Sequence, residues 1–573
     1  MSAAAPEGRV GPHVAGALAA MFAAAAAVIV WAGRDLTFYG DDWSFIGRRL
    51  GSGADVYLEP HNEHLSAVPV AFYKTLFAIA GLDHPGAFRA VLLGAHLLCA
   101  ALIFVYVRRR VGAVAAALAC ALILFLGQAW EILFVAIGIG YLGSLVTGVA
   151  MLLMLDRRTH GGDVAASLLL ALAIASSSLG LPLAAGALVE ALLDPRRRRR
   201  VLVVVLPLML YALWFVAYRE DPTRGVDLTG APAFVADVAA GGIGGLTGVA
   251  VVSDHLDGAL HWLVTVEHLL AALALAALVW VVATRRLEPR AWMLVTTLAS
   301  FWVVLAVLRA GGGEGFGTAV SPYSSRYVYP SAVLIVLLAT ELAREWELGG
   351  RRRTALALAV AAVSAANTVW LVVSTDDLRR QAALTRADLT AIEIMRDEVR
   401  PGYVPGGEVR NANVQAGPYL RAVRELGSSP AYAPGELLDA PEPARRAADR
   451  SLIRIQGIGW LGPVRPGRGA ISLRAETTNL RPSGRDGCLA GDPRRPAVLE
   501  LALPREGVTL PSVPPRPVAV RFRRFAEGFG DSVGSVREAV AIRPSLGRLE
   551  TTAWHARLSS PGGFTACPAA ERP

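Results

Sequence analysis

Asp35-Leu-Thr-Phe-Tyr-Gly-Asp-Asp-Trp43 and His61-Asn-Glu-His-Leu-Ser66 are the two ends of the polar segment on which the reading of this chain turns. It follows the first long apolar run, residues 13–33, and so emerges at a membrane face. Asp41 and Asp42 sit there beside Phe38, Tyr39 and Trp43, aromatic residues that favour the headgroup level. His61, Glu63 and His64 come directly before another apolar stretch. Ionisable groups set this close to a bilayer are costly, so they mark a site by default. The plainer alternative is a solvated loop with interfacial anchors.

Working outward, the composition agrees with a membrane setting. The chain has 573 residues, 54% hydrophobic and only 18% charged, too apolar for a soluble domain. The net charge of +9 does not point to nucleic acid, because the arginine clusters lie between apolar runs and follow the positive-inside pattern. Residues 13–33 read as an uncleaved span rather than a signal peptide, since further spans follow. The segment 65–82 is short and broken by Lys74, and either crosses the membrane or lies along it. Only the interfacial placement keeps Arg108-Arg109-Arg110 on the cytoplasmic side.

With that choice, spans near 86–107, 112–128, 134–155, a hairpin over 164–193, 201–218, 259–283, 291–308, 328–346 and 354–373 place every arginine cluster on one side. With 13–33 this makes about eleven helices, the amino terminus inside and the carboxyl terminus outside. Four segments then face outward: 34–66, 127–134, 219–258 and 309–327. Gly241 to Gly248 in the third has small-xxx-small spacing, which suits close helix packing better than a phosphate loop. Asp254, His255 and Asp257 beyond it read as solvated.

Past residue 375 the composition turns soluble. The expected division is a membrane domain over 1–375, a helical linker over 376–450 and a β-rich domain over 451–573. Val498 to Leu503, Val518 to Arg523 and Thr551 to Leu558 read as short strands of a small sandwich. Cys488 and Cys567 are an even pair that an oxidising compartment would join, closing that sandwich, while Cys99 and Cys120 are buried hydrophobes. Trp460 and Trp554 offer either core packing or a sugar-stacking face, and packing is the commoner outcome.

Gly40-Asp41-Asp42-Trp43 after the first span, and His61-Asn62-Glu63-His64 with Pro69 and Tyr73 beyond, resemble the GT-C glycosyltransferases. The family's His-Pro-Pro-x-x-Tyr segment is matched loosely, because the proline pair is missing. The resemblance covers roughly residues 10–375. It implies a mainly α polytopic membrane enzyme that takes a sugar from a polyprenyl-phosphate donor, followed here by a smaller α+β extracytoplasmic domain with a β-sandwich-like end. It implies Asp41 or Asp42 as general base, and Glu131 in the second outer loop as a further acidic residue beside Glu63 and His61. Arg326 and Tyr327, with His64, are implied at the donor phosphate. Some branches use a divalent cation such as Mg or Mn, for which Asp41, Asp42 and Glu131 are the candidate ligands. His61 and His64 lack a third ligand in register for zinc.

The implied partners are membrane lipids, the lipid-linked donor and a glycan, lipid or protein acceptor of the cell envelope, with no nucleic acid. Two other classes stay open: a transporter or flippase of lipid-linked saccharides, and a non-catalytic anchor for the external domain. Nearly charge-free spans with acidic groups clustered in outer loops favour chemistry at the surface over a translocation path.

Overall fold

A computed structural model describes residues 11–62, 64–194, 200–218, 229–249, 262–309, 321–346, 349–406, 414–456, 461–462, 476–483, 487–504, 506–543 and 552–570. In chain order the helices are α1 (Pro12–Ala32), α2 (Asp42–Arg48), α3 (Asp55–Leu58), α4 (Ala67–Ala80), α5 (Pro85–Val111), α6 (Ala113–Leu124), α7 (Trp130–Phe134), α8 (Ile139–Leu155), α9 (His160–Ser176) and α10 (Gly180–Leu193). They continue with α11 (Val201–Tyr218), α12 (Ala231–Thr247), α13 (Trp262–Thr284), α14 (Pro289–Arg309), α15 (Ser325–Leu342), α16 (Gly350–Ile394), α17 (Ala416–Leu426), α18 (Pro434–Asp439) and α19 (Glu442–Gln456). The chain forms two compact units. The first holds residues 1–36, 49–80 and 85–378, and the second holds 37–48, 81–84 and 379–573.

The first unit is helical. Among the described residues seven helices are long and apolar enough to cross a membrane, or eight if α6 and the bent segment through α7 count as one span. The expected eleven include α9 and α10, which are shorter apolar helices, as are α4 and α12. The 14 residues of α4 give a rise of roughly 21 Å, short of the roughly 30 Å hydrocarbon core. Lys74, midway along it, donates to the carbonyls of Arg49, Leu50 and Gly51. The segment expected as an outer loop over 219–258 contains a helix, α12, and its glycines set how closely it packs. A Cβ on Gly245 would lie 2.7 Å from Val328, and one on Gly242 equally near Ser331. Both contacts are with α15, so only glycine lets the two helices approach so closely.

Charges are also buried in this unit, against the expectation of nearly charge-free spans. Arg290 near the start of α14 forms a two-pronged pair with Glu190 of α10, at 2.7 and 3.1 Å, and reaches Asp156 at 3.2 Å. Asp156 also pairs with Arg110 of α5 at 3.0 Å, and Arg110 bonds Glu341 of α15 at 2.5 Å. The Tyr106 hydroxyl and Arg344 complete the shell of Glu341. Arg200 pairs with Asp163 at 2.9 Å. Arg110 at the end of α5, Arg290 at the start of α14 and Glu341 at the end of α15 are thus gathered with Asp156 just past α8 and Glu190 near the end of α10. Buried ions persist only when paired this fully.

The second unit has one core. Its helical residues Ala387, Ala391, Leu437, Ala444, Ala448 and Leu452 cluster with strand residues, so the region expected as a linker is part of the same body. The strands are β1 (Leu461–Gly462), β2 (Glu476–Thr478), β3 (Leu480–Ser483), β4 (Cys488–Gly491), β5 (Ala497–Ala502), β6 (Val508–Leu510), β7 (Val518–Arg523), β8 (Gly534–Val536), β9 (Val540–Ile542), β10 (His555–Ser560) and β11 (Thr565–Pro568). They form a sheet of order β1-β9-β6-β11-β4-β3 and another of order β2-β5-β10-β7-β8. β10 alternates half-buried and buried residues along its length, as a strand with one face on a core does. Cys488 and Cys567 are joined by a disulfide. The bond links β4 to its neighbour β11 within one sheet rather than across the two.

Candidate functional site

Glu131 and Arg326, nearly two hundred positions apart, meet in the first unit. α7 bends away from α6 by 46° and carries Glu131 to the first turn of α15. There Glu131 Oε2 accepts from the Ser324 hydroxyl at 3.0 Å and from the Arg326 N–H at 3.3 Å. In return Ser325 Oγ accepts the Glu131 N–H at 2.9 Å. Arg326 Nε lies 3.4 Å from Glu131 Oε1 and donates to Ser324 Oγ at 3.1 Å. A carboxylate at a helix N-terminus satisfies donors the helix leaves open and interacts well with its positive end. The result is a fixed guanidinium, one-third exposed at 34%, with its Nε oriented by a 16% exposed carboxylate. Such a preset cation can offset negative charge on a phosphate without reorganising.

Tyr327 turns the other way. It is 2% exposed and packs in the helical core, leaving its ring centroid 5.9 Å from the Arg326 guanidinium carbon. Of that pair only Arg326 keeps its side chain partly open to solvent. Tyr73 is likewise fully buried, against Phe72, Phe77 and Phe88.

The rest of the first loop divides between the two units. In the first unit Arg49, 5% exposed, is the hub, donating to the carbonyls of Val56, Glu59 and Pro60 and to the Glu59 carboxylate at 3.0 Å. Nothing in the sequence singled Arg49 out from Arg48 beside it. His61 and His64 exchange backbone hydrogen bonds at 2.9 and 3.0 Å across a tight turn, with Asn62 at φ +48°. Both imidazoles are half-buried. Glu63 lies outside the described residues, as do Asp254, His255, Asp257 and Trp460.

In the second unit the two aspartates part company. Asp42 is buried, 1% exposed, and its Oδ2 accepts the Tyr39 N–H at 3.1 Å while its own N–H bonds Tyr39 O. This reciprocal pair closes the entry to α2. Asp41 is half-buried and precedes the helix. Gly40 holds φ +55°, a left-handed conformation that glycine adopts without strain, and so sets the direction in which Asp41 leaves the chain.

Among the described residues no three His, Cys, Asp or Glu side chains gather into a group that could hold a metal ion. Trp554 is buried, 4% exposed, and edge-on to Phe522, so it packs rather than presenting a face to sugar.

No family model matches the chain, and no curated protein matches it. Among solved structures it is similar to the crystal structure of ArnT from Cupriavidus metallidurans bound to undecaprenyl phosphate. That likeness has 15% identity and a TM-score of 0.45, covering 71% of this chain and 85% of that one. The apo state of the same protein gives 15% identity, the same coverage and a TM-score of 0.46. The arabinosyltransferase EmbB from Mycobacterium smegmatis gives 12% identity and a TM-score of 0.33, covering 99% of this chain and 66% of that one.

Proposed function

We propose that the chain is a multi-pass membrane glycosyltransferase of the GT-C type, moving a sugar from a polyprenyl-phosphate donor to an extracytoplasmic acceptor in the cell envelope. The observation that carries this reading is the Glu131–Arg326 pair at the mouth of α15. Arg326 and the buried Glu341 lie at opposite ends of α15, roughly 22 Å apart along its rise. The arginine-rich ends of the helices belong with Glu341 and by the positive-inside rule face the cytoplasm, so the oriented guanidinium belongs to the outer face. The largest set of buried charges, Arg110, Asp156, Glu190, Arg290 and Glu341, is internally paired at the Glu341 end, and the Glu131–Arg326 pair lies at the other end of α15, which favours a reaction at the outer face. About eleven spans, counting the short helices, and an external second unit follow from the same orientation.

In this mechanism Asp41 takes the proton of the acceptor hydroxyl as that oxygen bonds the anomeric carbon. The bond from the anomeric carbon to the lipid phosphate breaks, its electron pair passing to the phosphate oxygen. Arg326 offsets that charge, with Glu131 holding the guanidinium in line. Asp42 serves the loop rather than the proton, because its carboxylate is committed to the Tyr39 N–H. His61, His64 and Glu63 remain candidates for contacts to donor or acceptor hydroxyls, and no step is routed through a metal.

The test is sugar transfer by purified protein from polyprenyl-phosphate-linked hexoses and pentoses. Asp41→Asn keeps shape but not basicity, and should lower turnover about 10²–10⁴-fold. If Asp41→Asn and Asp42→Asn both turn over like the unsubstituted protein, the loop is not the catalytic centre.

A further inference from the structure

The segment bearing Asp41 and Asp42 is built into the soluble unit, although the chain supplies it between two membrane helices. Residues 37–48 and 81–84, from either end of the stretch around α3 and α4, both pack with residues beyond 379. Their main support is α17. Trp43, 3% exposed, meets the ring of Tyr419 edge-on at 6.2 Å and that of Phe38 at 5.9 Å. Its indole N–H has no hydrogen-bond partner among the described residues, so shape and ring contact hold the side chain in place. A Cβ on Gly47 would lie 3.0 Å from that of Pro418, so the backbone of α2 lies directly on α17. The Leu82 N–H donates to Ser428 Oγ at 2.8 Å, just past the end of α17.

Tyr419 in turn is fixed from behind. It is 2% exposed, and its hydroxyl donates to Glu393 of α16 at 2.5 Å and lies 3.1 Å from Ser429 Oγ. A connected series therefore runs from Glu393 of α16 through Tyr419 to Trp43, the residue next to Asp42. Tyr419 and Trp43 are buried, and Glu393 is half-buried.

We propose that Tyr419 and Trp43 are positioning residues, and that the soluble unit sets the placement of Asp41 for proton transfer. The unit is then a working part of the transferase rather than an appendage. The inference rests on the reading of Asp41 as general base, and it predicts a loss in turnover without a loss in donor binding. A misplacement of about 1 Å at a reacting group costs on the order of 10²-fold in rate.

Two measurements on the full-length protein test it. In the first, Gly47→Cys and Pro418→Cys are combined and the rate of disulfide formation under mild oxidant is followed by gel mobility. The pair should close readily, and at least about tenfold more slowly once Tyr419→Ala is added. In the second, Tyr419→Ala should lower kcat about 10–100-fold with the donor KM within about twofold, and Tyr419→Phe should recover most of that loss. Trp43→Leu serves the same purpose should Tyr419→Ala not fold. The inference is overturned if the cysteine pair closes equally fast with and without Tyr419, or if Tyr419→Ala and Trp43→Leu both keep kcat. Asp41→Asn run in parallel separates the two failures. Loss of turnover there, with normal kcat in Tyr419→Ala, sinks the positioning role alone, whereas normal turnover in Asp41→Asn sinks the catalytic reading and this inference with it.

Discussion

Arg290→Met is the perturbation that most directly probes the buried ion network. Arg290 is 6% exposed and Glu190 is 8% exposed. Arg290 supplies a donor to each Glu190 oxygen, through Nε at 2.7 Å and Nη2 at 3.1 Å. Asp156, by contrast, keeps Arg110 at 3.0 Å when Arg290 is gone. The substitution therefore strands one buried carboxylate, and removing one partner of such a pair typically costs about 3–5 kcal/mol. That is roughly a 10²–10⁴-fold fall in the folded-to-unfolded ratio. Adding Glu190→Leu removes the stranded charge and fills the space with an apolar chain of similar size. The double variant should then recover most of the loss, giving a coupling of at least about 2 kcal/mol, near the upper end for contacting residues. The assay is reversible unfolding in mixed micelles for the unsubstituted protein, both single variants and the double variant. A double variant no more stable than Arg290→Met alone would refute the account, because the cost would then lie elsewhere than in an unpaired carboxylate.

Two predictions concern the second unit. Cys488→Ser with Cys567→Ser opens a loop of 79 positions, and the chain-entropy estimate for that length is about 4–5 kcal/mol. Denaturant unfolding of that unit should shift accordingly, and an unchanged midpoint after reduction would contradict it. His555 is held below its ordinary value of 6.5, first by burial and then by Arg523, with Glu500 opposing. A depressed histidine gives stability that is present above the unfolded value and is lost as pH falls from there towards the folded one. The unfolding midpoint should therefore drop as pH is lowered through about 6, and His555→Gln should flatten that dependence.

The long spans were legible because an apolar stretch of about 20 residues has few other uses. α5, α11, α14 and the start of α16 fall within a few residues of their expected limits. Glu131 and Arg326 could each be singled out as an ionisable group at an apolar boundary, but their contact spans nearly two hundred positions and leaves no local mark. The same holds for Arg110. In sequence it is one of three arginines in a cytoplasmic-looking cluster, yet its side chain is 5% exposed and pairs with Asp156 and Glu341. Periodicity cannot separate a solvated arginine from one whose partner lies on a distant helix. The small-xxx-small glycines of 241–248 indicate close packing although their segment reads as an outer loop; in α12, Gly242 and Gly245 do allow close approach to α15. The placement of residues 37–48 in the soluble unit was hidden for another reason. Nothing in Asp-Asp-Trp indicates that its packing partner is Tyr419.

That packing has a consequence for how the protein is made. Leu82 comes 346 positions before the Ser428 that holds it. At about 5–20 residues per second, the early segment waits roughly 17–70 s after its own synthesis before its partner exists. Through that interval the intervening helices enter the bilayer while Trp43 has Phe38 but not Tyr419 to pack against. The aspartate loop is thus among the first parts synthesised and among the last to acquire its shape. A chain released before α17 would carry every apolar helix long enough to cross a membrane and still lack the Tyr419 ring that packs against Trp43.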